Sequence, residues 1–539
     1  MLSQVLSQAL PFFVILPVFV AVFIYVFASM RYARPIAIVV QGFFIIPSAL
    51  LLLVAREAEI ITTVGNYEGF LGIILRADSL AAVFVLLTAV IFLAVGIYTI
   101  RTPYDPTSRL FLFLLFLLEG ALIGLFLTRD FFNVFVLVEV STVVVTILLM
   151  YDRERRNLFA GMTFIMVNII VMQFYLFGLG YIYMMTGFMD MEAAAVSIAA
   201  IERGSLALPY ALIMTSIASK CSLLPLMTFL PKVNSLTGSR STIAAIMSGL
   251  QIKSGVYLFI RFQDVFGGMG TEFFLLIGIL TAFAGVIFAL AQTDIRLILA
   301  YSTVAQVGLI IAGLSLGTEY SHIGSLFHII NHALFKVGLF LCSGQIYFLF
   351  KTNDIRKMRG LLRHSPLIAC ATAMAILGMV GAPLFNGSVS KYFLMSGVSG
   401  PLEWVFNLIN FGTILVFVRY SAILFGSPLG EVRKMETDWY RLAVVLGFGL
   451  CSLAFGIAGV GVIDLLLNEA VSLDLFGYLQ KSVIFVVSLG IAVIVYRLVL
   501  SKRDIFKPLN GFSMSFQKIS VSIGVFFAVI LIYVGLVRY

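Results

Sequence analysis

The stretch Ile217-Ala-Ser-Lys-Cys-Ser-Leu-Leu-Pro-Leu-Met-Thr-Phe-Leu-Pro231 places a lysine in the middle of an apolar segment and then adds two prolines. Pro225 removes a backbone donor and clashes with the preceding turn, so a helix through this segment should break just after Lys220. A second stretch, Gly378-Met-Val-Gly-Ala-Pro-Leu-Phe-Asn-Gly-Ser-Val-Ser-Lys391, repeats the idea with Gly381, Pro383 and Gly387 ahead of another lysine. Broken backbone at membrane depth is tolerated only where it faces protein or water. Two interrupted spans in corresponding places therefore point to an internal repeat with an ion path at the breaks. About five helices separate the two, and an odd number of crossings between equivalents reverses their orientation, so the repeats are expected to be inverted. A Gly/Pro kink alone often serves only packing; the lysine beside each one weighs against that reading.

The surrounding chain is equally apolar. Of 539 residues, 61% are hydrophobic and only 11% charged, and the mean hydropathy is +1.10. A soluble domain of this length would need far more charge for its surface. About sixteen apolar segments are long enough to cross a bilayer: 10–29, 33–54, 76–99, 109–127, 131–150, 159–185, 207–230, 241–262, 271–291, 296–315, 323–349, 366–396, 403–426, 440–462, 478–499 and 516–537. They leave no room for a soluble catalytic domain or a nucleotide-binding loop. The first run is too long for a signal h-region and lacks a small-x-small cleavage site, so it reads as the first span. Of the last two segments, one could instead lie along the membrane surface.

The connecting links alternate in charge. Basic links (31–34, 101–109, 152–156, 232–240, 351–364, 431–441 and 501–518) belong on the cytoplasmic side, and acidic or neutral ones (56–68, 186–202, 317–322, 396–401 and 464–474) outside. The expectation is a multi-pass protein of the cell membrane with both termini extracytoplasmic. The net charge of +9 then reflects orientation, not nucleic-acid binding. The cysteines Cys221, Cys342, Cys370 and Cys451 have no metal or redox spacing and read as small buried hydrophobes.

Against this apolar background the charged residues at membrane depth are functional candidates by default. Glu139 lies near the centre of its span, where a solitary carboxylate would be protonated or paired. Lys220 is the expected partner; together both stay charged, and apart one tends to take a proton and the other to release one. Lys253 is also mid-span, beside Ser254 and Gly255, which leave room for water. His328, His332 and Lys336, spaced i, i+4, i+8, stack along one helix face and suit a water-linked proton wire. Lys391 would end the line, and Glu119 is a second membrane carboxylate one span before Glu139. The bland readings are snorkelling of each lysine to the headgroups, a packing ion pair at Glu139 and structural histidines. Metal binding by the histidine pair has no neighbouring carboxylate or thiol to support it. Asp294 and Arg296 read as the brace of a helix end.

The order Asp130-Phe-Phe-Asn-x-Phe-x-x-x-Glu139, then Lys220 with Pro225 and Leu230-Pro231, then Lys253-x-Gly-x-Tyr-x-x-x-Arg261, resembles the antiporter-like subunits of respiratory complex I. It is also similar to the D and A subunits of multi-subunit Na+/H+ antiporters. Thr293-Asp-Ile-Arg-Leu-Ile-Leu-Ala-Tyr-Ser-Thr303, the His328/His332/Lys336 helix with Cys342-Ser-Gly344, and Ser390-Lys391 continue the resemblance over roughly residues 75 to 425.

The resemblance implies an all-α membrane protein with a core of fourteen transmembrane helices, two inverted five-helix repeats with broken helices, and about two further C-terminal helices. The organisation expected is residues 1–108 for helices 1–3, 109–263 and 270–426 for the repeats, and 439–539 for the C-terminal helices, the last two of which would grip neighbouring subunits. Glu139 and Lys220 would be the coupling pair, Lys253 with the His328/His332 region the central relay, and Lys391 the outlet.

The sequence departs from the family after the first break. Where Pro-Leu-His-x-Trp-Leu-Pro-Asp-Ala-His and then Ala-Pro are usual, it has Pro225-Leu-Met-Thr-Phe-Leu-Pro-Lys-Val-Asn234 and then Thr237-Gly238. Met227, Lys232 and Asn234 thus replace the inlet histidines and aspartate, which puts proton supply through the first half in doubt. This divergence, with no long lateral helix, is more like the antiporter-type subunits of archaeal membrane-bound hydrogenase or sulfur-reductase complexes.

The function expected is H+ translocation, with Na+ as a further candidate ion, in a non-catalytic subunit of an oxidoreductase complex. Its Fe–S clusters, and Ni–Fe in a hydrogenase, would lie in partner subunits, with no cofactor or metal in this chain. Partners would be antiporter-like paralogues, small membrane subunits and lipids. A stand-alone Na+/H+ antiporter subunit and a non-conducting scaffold are the alternatives.

Overall fold

The computed structural model describes the chain except residues 1, 66–71, 102–107, 229, 230, 232, 234–240, 429–431, 433–435, 502–505, 511, 513 and 537–539. Leu230, Lys232, Asn234, Thr237 and Gly238 of the departing stretch thus lie outside the described residues. The elements run α1 (Leu2–Val26), α2 (Met30–Ala55), β1 (Ile60–Val64), β2 (Ile73–Ala77), α3 (Ser79–Thr99), α4 (Ser108–Leu127), α5 (Phe131–Met150), α6 (Arg155–Thr186), α7 (Met191–Ala199) and α8 (Arg203–Lys220). They continue with α9 (Ser241–Val265), α10 (Thr271–Ala291), α11 (Ile295–Leu314), α12 (Glu319–Phe350), α13 (Pro366–Val380), α14 (Asn386–Ser396) and α15 (Pro401–Ser421). The C-terminal part holds α16 (Trp439–Ile457), α17 (Gly459–Leu467), α18 (Leu475–Val495) and α19 (Phe516–Leu536).

Fourteen of the described helices are long and apolar enough to span a membrane. The two interrupted segments, α8 with the turn at its end and the α13–α14 pair, supply the remaining crossings expected from the sequence. Both C-terminal segments, α18 and α19, have spanning length. Among the described residues one small antiparallel hairpin, β1–β2, stands among the helices, between α2 and α3. It is pinned to α1 by Ser7 and Thr62, whose hydroxyl groups lie 3.0 Å apart.

The breaks fall where the residues dictate. α8 ends at Lys220, and Ser222 takes a positive φ of 55° before the Leu224–Pro225 bond. α13 ends at Val380 because Gly381 turns to a φ of 78°, a conformation that costs glycine little, and α14 restarts at Asn386.

The inverted repeat has its own signature. Asp130 caps α5 by accepting the Asn133 N–H, and Asp294 caps α11 by accepting the N–H groups of Arg296 and Leu297. Asp130 also pairs through its backbone with Asp190, and Asp294 in the same way with Asp354, at equal sequence separation. Each pair encloses a 32-residue helix, α6 in one and α12 in the other. The five crossings α5, α6, α8, α9 and α10 lie between the two caps, which puts them at opposite ends of the bundle. Asp294 thus has the bracing role expected of it, and Arg296 stacks over Tyr347.

Packing within the bundle relies on small residues. Gly278, Ala282 and Gly285 of α10 face Ala305, Gly308 and Ala312 of α11 so closely that a Cβ on Gly278 would meet the Ala312 nitrogen at 2.7 Å. A further finding corrects a sequence expectation. Cys370 and Cys451 are exposed on the bundle surface, and only Cys221 and Cys342 are buried. The last two helices also touch the core: Phe527 of α19 meets Phe174 edge-on and Phe526 lies tilted against Phe273, while Tyr478 of α18 bonds Ser388.

One charged cluster joins α3, α9 and the link between α4 and α5 at one end of the bundle. Asp78 caps α3 and pairs with Arg261 of α9 at 2.7 Å and with Arg129 at 3.2 Å. Burial opposes ionisation of Asp78, but Arg261 and then Arg129 overcome it and hold the carboxyl down to about 2 from 3.8. Because the folded value is depressed, the stabilisation is present above the ordinary value and lost as pH falls. Thermal unfolding of the detergent-solubilised protein should show the Asp78 contribution constant above about pH 5 and fading from about pH 4 towards 2; Asp78→Asn should remove that component. Gly285→Leu should push α10 off α11 and cost about 1–3 kcal/mol or more, read as a lowered melting temperature.

Candidate ion-translocation site

The candidate residues sit on six helices, and neutral polar side chains connect most of them. Lys220, at the end of α8, donates to Asn168 Oδ1 of α6 at 2.6 Å and to Thr142 Oγ1 of α5 at 3.1 Å. It does not form the expected ion pair: among the described residues no contact of 4.0 Å or less joins it to Glu139, whose Oε1 is buried without a partner. Each is nevertheless the charge that acts on the other. Beside Thr142, Ser141 accepts from Gln251 of α9 at 3.3 Å, which carries the line into the centre.

There α9 opens into a single π turn, Met247–Gln251. Such a bulge loosens the carbonyl ladder, and the ammonium of fully buried Lys253 bonds the Ser248 carbonyl. The Ser248 hydroxyl meets Thr303 of α11 at 2.8 Å. Gly255 does not leave room for water as expected. A Cβ there would lie 2.8 Å from the Lys220 carbonyl carbon, so the glycine instead allows α9 to pack on the broken end of α8.

On the other side of α11, Lys336 donates to Ser302 Oγ at 2.5 Å and to the Leu299 carbonyl at 2.8 Å. His328 is bonded through both ring nitrogens, to Gln306 of α11 and to Ser390 of α14, each at 2.9 Å. His332 lies between them with its ring 6.2 Å from that of His328. Both its nitrogens are buried without a partner among the described residues. Polar atoms in such a position need water to satisfy them.

Lys391 is buried, 7% exposed, which rules out the snorkelling reading. Its ammonium reaches the carbonyls of Met379 and Val380 at 3.2 and 3.3 Å, at the end of α13. Glu119 stands apart: on α4, it accepts from Gln41 of α2 at 3.4 Å. Among the described residues no cluster of ligands could hold a metal ion. Thr142, Asn168, Gln251 and Gln306 are not among the sequence candidates, and Ser302 and Ser390 enter there only as members of quoted motifs. Their signal is weak, a polar residue on an apolar helix without charge.

Residues 128–416 match the family model described as NADH:quinone oxidoreductase/Mrp antiporter, transmembrane. The chain belongs to this family. It is 29% identical over 391 residues to the D subunit of the Na(+)/H(+) antiporter of Alkalihalophilus pseudofirmus, covering 71% of this chain and 79% of the relative. It is 32% identical over 348 residues to the N subunit of the NADH-quinone oxidoreductase of Desulforudis audaxviator, covering 62% and 68%. Among solved structures, a chain of the Mrp complex from Dietzia sp. DQ12-45-1b superposes with a TM-score of 0.80 at 21% identity, over 89% of this chain and 99% of that one. A chain of the archaeal membrane-bound sulfane sulfur reductase gives 0.78 at 23% identity, over 90% and 99%. This family member is therefore an integral membrane, antiporter-like subunit of the Mrp or complex I type, and its relatives work in multi-subunit membrane complexes.

Asn168→Leu should remove a bond to an ammonium worth about 1.5–3 kcal/mol and free Lys220 to pair with Glu139. Vibrational difference spectra of the purified protein should show a changed Glu139 carboxylate band, lost in the Glu139→Gln background.

Proposed function

We propose that this chain carries protons through the membrane along the line from Glu139 and Lys220, through Lys253, Lys336, His332 and His328, to Lys391. The observation that carries the reading is the succession of polar side chains linking these groups across an otherwise apolar bundle, from Asn168 and Thr142 to Gln306 and Ser390. A Na+ ion wants several oxygen ligands at once, whereas the titratable groups here are mostly nitrogen, which suits H+. Glu139 and Lys220 act as a switch: Lys220 alternates between its Thr142/Asn168 site and Glu139, and its departure leaves Glu139 free to take a proton. Glu119 lies off the line and is a side group to it.

A second proton entry, besides the one at Glu139 and Lys220, lies in the second half of the chain. A cavity of about 420 Å³ at the cytoplasmic end is lined by Gln345 of α12 with His364, Glu436, Asp438 and Arg441. It offers titratable groups beside the helix that carries Lys336, which compensates for the inlet histidines missing near residues 225–234.

The complex is proposed to be an oxidoreductase whose Fe–S or Ni–Fe centres lie in partner chains, with this chain a non-catalytic subunit of the cell membrane and both termini outside. The similarity to the archaeal sulfane sulfur reductase chain supports this reading. The similarity to the Alkalihalophilus pseudofirmus antiporter chain supports a second one, membership of a stand-alone Na+/H+ antiporter. Purifying the chain from its native membrane separates the two: co-purifying Fe–S protein supports the first, and its absence from an active complex supports the second. In proteoliposomes holding that complex, Lys253→Met and Lys220→Ala should each lower proton transport roughly tenfold or more without loss of assembly. Normal transport in both variants would overturn the proton line and leave a scaffold.

A further inference from the structure

The proposed line ends at Lys391 with no way out of the membrane. A cavity of about 110 Å³ opens beside this lysine between α14, α15 and α18, with room for several waters. Each helix gives it a polar stripe. Lys391 and Tyr392 come from α14, Glu403, Asn407 and Asn410 from α15, and Tyr478 and Lys481 from α18. The spacing i, i+4, i+7 on α15 and i, i+3 on α18 puts each set on one helix face. Apart from Gln480, Ser482 and Ser488 the rest of α18 is apolar, and most of it is exposed; a lysine on such a helix is costly in lipid unless it faces a polar space.

The stripe is fixed against the core by specific bonds. The Tyr478 hydroxyl meets Ser388 Oγ at 2.7 Å and accepts the Leu384 N–H at 3.2 Å. Lys481 Nζ lies 3.4 Å from the Tyr392 carbonyl and 5.0 Å from the centre of its ring. Asn410 Oδ1 is buried without a partner among the described residues, and an acceptor so placed calls for a donor from the cavity.

We propose that this cavity is the release chamber for protons leaving Lys391, and that Lys481, on a helix outside the fourteen-helix core, is its positioning residue. The inference rests on the proton line proposed above. The Lys391 ammonium gives a proton to a chamber water, and that water passes one to the Glu403 carboxylate in the first turn of α15, from which it leaves. Lys391, now a neutral amine, regains a proton from the His328 side. Glu403 acts electrostatically on Lys481. Two ammonium groups on one small chamber repel each other, so Lys481 favours discharge outward. The C-terminal helix α18 thereby belongs to the transport path.

The test uses the intact complex in proteoliposomes, with assembly checked by native electrophoresis. Lys481→Met should slow proton transport about five- to tenfold, or 1–1.4 kcal/mol at 1.4 kcal/mol per tenfold, in a fully assembled complex. Lys481→Arg, which keeps the charge, should restore most of the rate; a purely structural lysine would not discriminate in this way. Asn410→Leu fills the chamber from α15 and should also slow transport, which keeps the proposal testable if Lys481→Met fails to assemble. Lys253→Met is the control for the line itself. If it stops transport while Lys481→Met and Asn410→Leu leave it unchanged, the chamber is wrong and the line stands. If Lys253→Met also transports normally, the line falls and the chamber with it. Loss confined to His322→Ala, in the cavity of about 400 Å³ shared with Asp78 and Asp264, would overturn the chamber in favour of release there.

Discussion

An ammonium group buried in a membrane protein must find oxygen atoms that the helices have not already used, and this requirement ties the lysines to the irregular backbone. A regular helix hides its carbonyls in its own ladder. Lys253 finds one where α9 widens into a π turn at Ser248, and Lys391 finds two where Gly381 ends α13. Lys336 uses a hydroxyl and a second lone pair of the Leu299 carbonyl. The breaks therefore do more than bend the spans: they supply the solvation that keeps a positive charge tolerable at that depth.

Lys220 departs from this pattern in an informative way. Its partners, Asn168 and Thr142, are side chains that can rotate, not main-chain carbonyls fixed by a fold. A charge held by rotatable groups beside a carboxylate with an unsatisfied oxygen has two sites of comparable chemistry. That arrangement suits the coupling switch proposed for Lys220 better than it would suit the three lysines anchored to backbone.

Much of this is legible in the sequence because the signals are large. A lysine, a histidine or a proline inside an apolar span stands out at once, and the breaks after Lys220 and before Lys391 come directly from proline and glycine chemistry. The connecting residues are hidden for the opposite reason. Ser141, Thr142, Ser302 and Ser390 are small and neutral, and such residues occur throughout membrane helices for packing alone. The π turn at Met247–Gln251 has no proline to announce it. Gly255 misleads because its role depends on which backbone approaches it, a fact that only the assembled bundle holds.

The two repeats are alike in frame and unlike in chemistry, and the difference gives the proposed line unlike ends. Their capping aspartates, backbone bridges and long helices correspond. The charges do not: Lys220 precedes its break, while Lys391 comes after the other. Lys220 therefore sits at the inner edge of the first repeat, against α9, and Lys391 at the outer edge of the second, against α18. Between them α11 presents Thr303 towards α9 and Ser302 towards α12, so one helix of the second repeat joins both lysines of the centre. A symmetric pair of half-channels would need equivalent groups at both breaks. The proposed line instead has unlike ends, a lysine with rotatable partners at one and a polar chamber at the other, and the helices beyond the core pack at those ends.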